Sequence, residues 1–273
     1  MEIQTLKESP EEFSFILKDI NPTIANTLRR TMVAETPTLA INEVTFIKND
    51  SALYDEILAH RLGLIPLKTD LSTYEQKEKC SCKGQGCVKC SLTITLKTKG
   101  PKTVYSSELI SQDPKVKPVY DNIPIITLLK NQELELEATA TLDIGKKHNK
   151  NSPGLIFYKS FPKIKIVKDP QKVKELLKEY KNLEITDSEV NIKNIQDFNT
   201  DVLENICGDL IEIKYSKKDF IFKIESFGQL KPKEIIKTAL NVHDSKLIEF
   251  EQALKDAKPT KIESLKNKIK KKS

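Results

Sequence analysis

Apolar and polar residues alternate at the start of the chain, with Ile3 and Leu6 in one stretch and Phe13, Phe15 and Leu17 in the next, joined around Ser9-Pro10-Glu11. A period of two on either side of a proline-containing break predicts a β-hairpin. The period changes at Asn21, which offers an N-cap oxygen ahead of Pro22. Ile24, Ala25, Leu28, Met32 and Val33 then recur at helical spacing until Pro37. Asn26, Arg29 and Arg30 lie on the opposite face, where the arginines could sit at a rim, clamp a carboxylate or be solvated. Leu39 to Ile47 reads as a strand, and Ser51 to Leu62 as a helix with Leu53, Ile57, Leu58 and Leu62 facing inward and Gly63 ending it. Strict alternation over Leu92 to Leu96 and Leu134 to Leu142 predicts half-exposed antiparallel strands. Residues 145–154 form a long polar loop, after which Leu155 to Tyr158 and Ile164 to Val167 resume the strand pattern. Val173 to Tyr180 reads as a short helix after Asp169-Pro170, Glu184 to Asn199 supports no element, and Phe220 to Glu225 is a strand.

The longest periodic segment follows Lys231-Pro232. Ile236, Leu240, His243, Leu247, Phe250 and Leu254 step by four and three residues in turn, and Ile235, Ala239 and Ile248 widen the stripe. Such stepping belongs to a helix that packs along another for most of its length, either in the chain's own core or against a partner. His243 inside it reads as an interface histidine ahead of a ligand.

Composition narrows the class. The 273 residues are 38% hydrophobic and 31% charged, enough apolar material for one large or two modest domains. No run approaches the ~18 apolar residues of a membrane span, and the first residues lack a secretory pattern, so the reading is cytoplasmic with no membrane contact. The formal charge of +6 is local: residues 258–273 hold seven lysines and one glutamate, leaving residues 1–257 neutral. Lys266, Lys268, Lys270, Lys271 and Lys272 read as a solvated basic tail ahead of a nucleic-acid arm, and no nucleic-acid residue is assigned.

Cys80, Cys82, Cys87 and Cys90 fall within eleven residues, with Gly84 and Gly86 to let the backbone fold round an ion and Val88 as the one other apolar residue to make a core. Four thiolates leave no open position for water, which points to one structural Zn2+. Iron–sulfur ligation is the competitor, without its usual cysteine run. A disulfide pairing fits a reducing compartment poorly. Cys207 has no neighbouring ligand and reads as a buried small hydrophobe. Phosphate-binding, metalloprotease and nucleophile-elbow motifs are absent. Glu56 and His60, four apart, lack a third ligand, and His148 lacks a positioned carboxylate, so no catalytic residue is assigned.

The runs Asn21-Pro22-Thr23-Ile24-Ala25-Asn26-Thr27-Leu28-Arg29-Arg30, Ala40-Ile41-Asn42-Glu43-Val44 and Asp55-Glu56-Ile57-Leu58-Ala59-His60-Arg61-Leu62-Gly63-Leu64-Ile65-Pro66-Leu67 resemble the alpha-like subunits of DNA-directed RNA polymerase. The likeness is to the archaeal D-type member and the eukaryotic third-largest subunit, and more distantly to the bacterial alpha N-terminal domain. It continues through Gln132 to Ala138, Gly145 to His148 with Ser152-Pro153, and Phe222 to Gly228, touching most of residues 1–257. Asn149 and Asn151 depart from it, standing where the family usually has Ala and Trp. So does the 168–210 stretch, whose single Cys207 cannot make the four-cysteine cluster that many archaeal relatives carry there.

The resemblance implies an α+β fold with a discontinuous alpha-like dimerisation domain (1–48 and 200–257). An inserted β-rich domain (49–167) carries the zinc loop 80–90, followed by a reduced third region or connector (168–199) and the basic tail (258–273). It implies an assembly-platform subunit without catalytic residues of its own, which meets DNA only through the complex. Ile24, Leu28, Met32 and the stripe from Ile236 to Leu254 would bind the smaller alpha-like subunit, called L in archaea. Arg29, Arg30, Asp55, Glu56, His60 and Arg61 fall where the family packs against the largest and second-largest subunits, and the small N and P subunits complete the partners.

Overall fold

In the computed structural model, which describes residues 1–180, 183–192, 195 and 199–257, the opening hairpin forms as the alternation predicts. β1 (Glu2–Glu8) pairs antiparallel with β2 (Glu12–Lys18). α1 (Pro22–Ala34) starts where its cap lies, with the Asn21 side chain accepting from the Thr23 amide at 2.8 Å. β3 (Pro37–Asn49) begins at the very proline that stops α1. α2 (Asp55–Gly63) starts at Asp55 instead of Ser51. Asn49 accounts for the delay: its Oδ1 accepts from the Ser51 amide at 3.1 Å and its Nδ2 donates to Asp55 at 2.7 Å, holding the intervening residues as a turn. Ile57, expected inward, is exposed, whereas Leu58 and Leu62 are buried.

The middle of the chain supplies β4 (Leu92–Lys99), β5 (Lys102–Tyr105), β6 (Ile110–Ser111), β7 (Pro124–Leu128) and β8 (Glu133–Ile144). β9 (Gly154–Ile166) is one strand where the pattern predicts two, because it pairs along its length with a single long neighbour. α3 (Pro170–Leu176) follows, then β10 (Leu183–Ile185) and β11 (Glu189–Ile192), two strands inside a stretch whose sequence supports none. The chain closes with α4 (Asp201–Cys207), β12 (Ile211–Ser226) and α5 (Pro232–Asp256). The basic tail lies outside the described residues.

Among the described residues the strands form a six-stranded sheet in the order β1-β2-β12-β9-β11-β10, a four-stranded sheet β3-β8-β4-β6 and a ribbon β5-β7. Two strands fall on the other side of the expected segment boundaries. β3 pairs with β8 although most of it precedes residue 49, and β9 pairs with β12 although it precedes residue 168.

Helices cover much of the apolar surface of both sheets. α2 and the four-stranded sheet enclose one core through Leu58, Leu62, Ile94, Leu96, Leu134 and Leu136. α1 and the first half of α5 cover the middle of the six-stranded sheet, where Phe15, Phe222, Met32, Ile235 and Ala239 meet and the Phe15 and Phe222 rings stack 5.2 Å apart. The far ends of β9 and β12 carry a third core with Val173, Leu177, Val190, Leu203 and Cys207. The segment 145–154 is less polar in placement than in sequence. Asn151 and Ser152 are buried, and the Asn151 carbonyl accepts from the Thr38 hydroxyl at 2.8 Å. Gly154 is required where β9 opens, since a Cβ there would lie 2.2 Å from the Glu225 carbonyl oxygen.

Candidate functional site

The cysteine run folds between α2 and β4 as a succession of tight turns. The Lys83 amide donates to the Cys80 carbonyl at 3.0 Å, and the Cys90 amide to the Cys87 carbonyl at 2.9 Å. Lys83, Gly84 and Gly86 all have positive φ, of 53°, 83° and 84°. Two of these three positions are glycine, which adopts that conformation at no steric cost. The turns aim four sulfurs at one point. The Cys80–Cys82, Cys80–Cys87 and Cys82–Cys90 Sγ pairs are 3.5 Å apart, and Cys87–Cys90 is 3.8 Å. A disulfide needs about 2.05 Å. A tetrahedron of sulfurs at about 2.3 Å from a central ion has edges of about 3.8 Å, so the spacing suits a metal ion held by all four.

Val88 does not form a core for this loop, being 88% exposed. The loop is instead moored from outside by Glu78 to Lys147 at 2.6 Å and by the Glu75 amide to the Lys89 carbonyl at 2.9 Å. Its thiols differ in acidity. The Cys87 backbone amide draws Cys82 down to about 6, while burial pushes Cys90 up to about 12. Metal binding must therefore expel protons. Cys207 stands apart in the third core, where burial raises its pKa and keeps it a neutral thiol.

A second feature is a groove of about 410 Å³ between α1, α5 and the opening hairpin, walled by Ile3, Phe13, Ile24, Leu28, Ile236 and Leu240. Of the sequence-expected partner residues, Ile24 and Leu240 are exposed, Leu28, Ile236 and His243 are half-buried, and Met32 is wholly buried in the chain's own core. Met32 thus packs the sheet and presents no surface. Leu247, Phe250 and Leu254 continue the stripe beyond the groove, each more than half exposed. The contribution of β1 and β2 is absent from the sequence reading. Its signal is Ile3, an apolar residue 58% exposed on an edge strand.

The expected large-subunit residues lie on α1 and α2. Arg29 is tied to Asn26 Oδ1 at 3.0 Å and clamps no carboxylate among the described residues, while Arg30 is exposed beside Lys146 and Tyr158. Asp55 accepts from Asn49, Glu56 and His60 are exposed, and Arg61 donates to the Pro124 carbonyl at 2.8 Å. Among the described residues, no helix is long and apolar enough to cross a membrane.

Comparison with known proteins bears on these features together. A model of the RNA polymerase Rpb3/RpoA insert domain matches residues 40–160, which contain the four-stranded sheet and the cysteine loop. DNA-directed RNA polymerase subunit Rpo3 of Methanosphaera stadtmanae is 38% identical over 262 residues, 90% of this chain and 96% of that protein. The Archaeoglobus fulgidus protein of the same name is 34% identical, with 93% and 98% covered. That of Pyrococcus furiosus is 38% identical, with 89% and 92% covered. With likeness at this level over about nine-tenths of its length, the chain belongs to the family of DNA-directed RNA polymerase subunit Rpo3.

Proposed function

We propose that the chain is a non-catalytic platform on which an RNA polymerase assembles, and that its first act is to pair with the smaller alpha-like subunit (L). What carries the reading is the apolar groove between α1, α5 and the hairpin together with the stripe that leaves it along α5. Leu240, Leu247, Phe250 and Leu254 are exposed on one helix, and covering them stabilises a complex by about 25 cal/mol per Å² of apolar surface before association costs. The part of the six-stranded sheet made by β1, β2 and β12, from the two ends of the chain, serves in this reading as the core of a discontinuous dimerisation domain. The four-stranded sheet is the inserted domain, with α2 and Arg30 turned toward the large subunits and the small N and P subunits docking on the assembled pair. DNA is met only through the complex, in the cytoplasm.

Cys80, Cys82, Cys87 and Cys90 would hold one zinc ion as a structural cross-link. Four thiolates saturate it, so it supplies no Lewis-acid chemistry.

Co-expression with and without the small alpha-like subunit, followed by sizing and metal analysis, tests both parts. The expected product is a one-to-one heterodimer with one zinc. Leu240→Asp with Leu247→Asp should abolish pairing and leave the zinc in place. A monodisperse monomer indifferent to that subunit would overturn the platform reading.

A further inference from the structure

About half of the described lysines face a carboxylate. Lys147, for example, reaches both Glu78 at 2.6 Å and Asp143 at 3.1 Å. Lys150, three residues on, does not. Its ammonium donates to the Ile41 carbonyl at 2.8 Å and to Asn42 Oδ1 at 3.3 Å, both neutral, and no carboxylate oxygen lies within ion-pair distance among the described residues. An ammonium has three donors, so one remains. The side chain is half-buried, and burial lowers its pKa, with Asp143 the one charge that opposes the shift. A partly desolvated cation without a counter-ion is costly in a finished structure.

Lys150 opens on a cleft of about 240 Å³ shared with His60, His148, Asn42 and Leu64. His148 Nδ1 accepts from the Lys150 amide at 3.1 Å, so in the neutral ring the proton sits on Nε2 and His148 is a donor. The cleft therefore gathers hydrogen-bond donors. Leu64, 53% exposed at its mouth, suits a protein neighbour better than a free anion.

We infer that this cleft receives the carboxylate side chain of another polymerase subunit, with Lys150 as its counter-ion. The inference rests on the assembly reading but uses a surface separate from the apolar groove.

Zero-length cross-linking of the complete purified polymerase with a water-soluble carbodiimide tests it, since the reagent joins an amine to a carboxylate in contact with it. The expected result is an amide between Lys150 Nζ and an Asp or Glu of another subunit. Two outcomes would overturn it: Lys150 free to react with an amine-acetylating reagent in the complete enzyme, or Lys150 shielded yet uncross-linked, which would mean an uncharged neighbour fills the cleft. Once the cross-linked subunit is known, Lys150→Met should weaken its binding about tenfold or more, while Lys150→Arg stays within about twofold. Pairing through the groove should survive both substitutions. If Lys150→Met also loses that pairing, the variant is misfolded and the cross-link decides. If wild-type chain fails to pair, the assembly reading fails, whatever Lys150 does.

Discussion

The cysteine loop and the segment from α3 to α4 are both small excursions from a sheet, yet different forces order them. Residues 80–90 bury almost nothing apolar, send Val88 into solvent and bring four sulfurs to one point. The α3–α4 segment holds one cysteine and closes over Val173, Leu177, Val190 and Leu203. In the proposed zinc-bound form the first would be unfolded by removing the ion, and the second only by damaging its packing. An excursion too short to make a core needs a cross-link, and one long enough to bury several branched side chains does without.

The most forceful way to break this contrast is to remove a ligand. Cys87→Ser, or a strong chelator, should abolish metal binding worth about 10–16 kcal/mol in small zinc modules and expose the bonds after Lys79, Lys83 and Lys89 to trypsin. Amide exchange across α3 and α4 should not change, and a loop that stays protected without metal would erase the distinction. Acidification is a milder version. Binding expels protons from the thiols that burial keeps protonated, Cys90 among them, so metal affinity rises with pH and falls as pH drops. A chelating dye should register release on descending from pH 8 to 5, with no matching change around neutral Cys207. Leu203→Ala attacks the other side, at a cost of about 2–5 kcal/mol confined to the third core. It should hasten exchange over 170–210 with the metal content intact. The smallest effect is expected at Asp70, just ahead of the loop. Hydrogen bonds from Ser72, with the hydroxyl first, hold its carboxyl at about 2. That stability is present above pH ~4 and lost as pH falls through 2. Asp70→Asn should flatten the acid limb of a denaturation series by lowering neutral stability slightly toward the low-pH value, with little change below pH 2.

What could be read in the chain beforehand follows the same division. The candidate metal site is legible because its four cysteines are neighbours in sequence and their chemistry is specific. α1 is legible because Asn21, Pro22 and Pro37 mark both ends. The apolar stripe of α5 is legible as a period, but not its division into Ile235 and Ala239 buried on the sheet and Leu247 to Leu254 left bare, since that depends on where the sheet stops. β10 and β11 are too short to show alternation, and they exist because β9 offers an edge to pair with. Ile57 misleads because helical spacing gives a face its width and says nothing of how much of it the sheet covers. The Lys150 cleft is invisible in sequence, being made where residues 41, 60 and 150 converge.

The overhang of α5 has a consequence for the cell's accounting of polymerase components. From Asp244 to Asp256 every residue is exposed, and beyond the Lys246–Glu35 ion pair the helix rests on nothing of its own chain among the described residues. A stretch of that length is at the margin of stability as an isolated helix in water. In an unpaired copy these last turns would fray and offer Leu247, Phe250 and Leu254 as an apolar stretch open to proteases. In the proposed pairing the same residues would be covered. On that reading, the length of one helix would make unpaired chains shorter-lived than those in complexes.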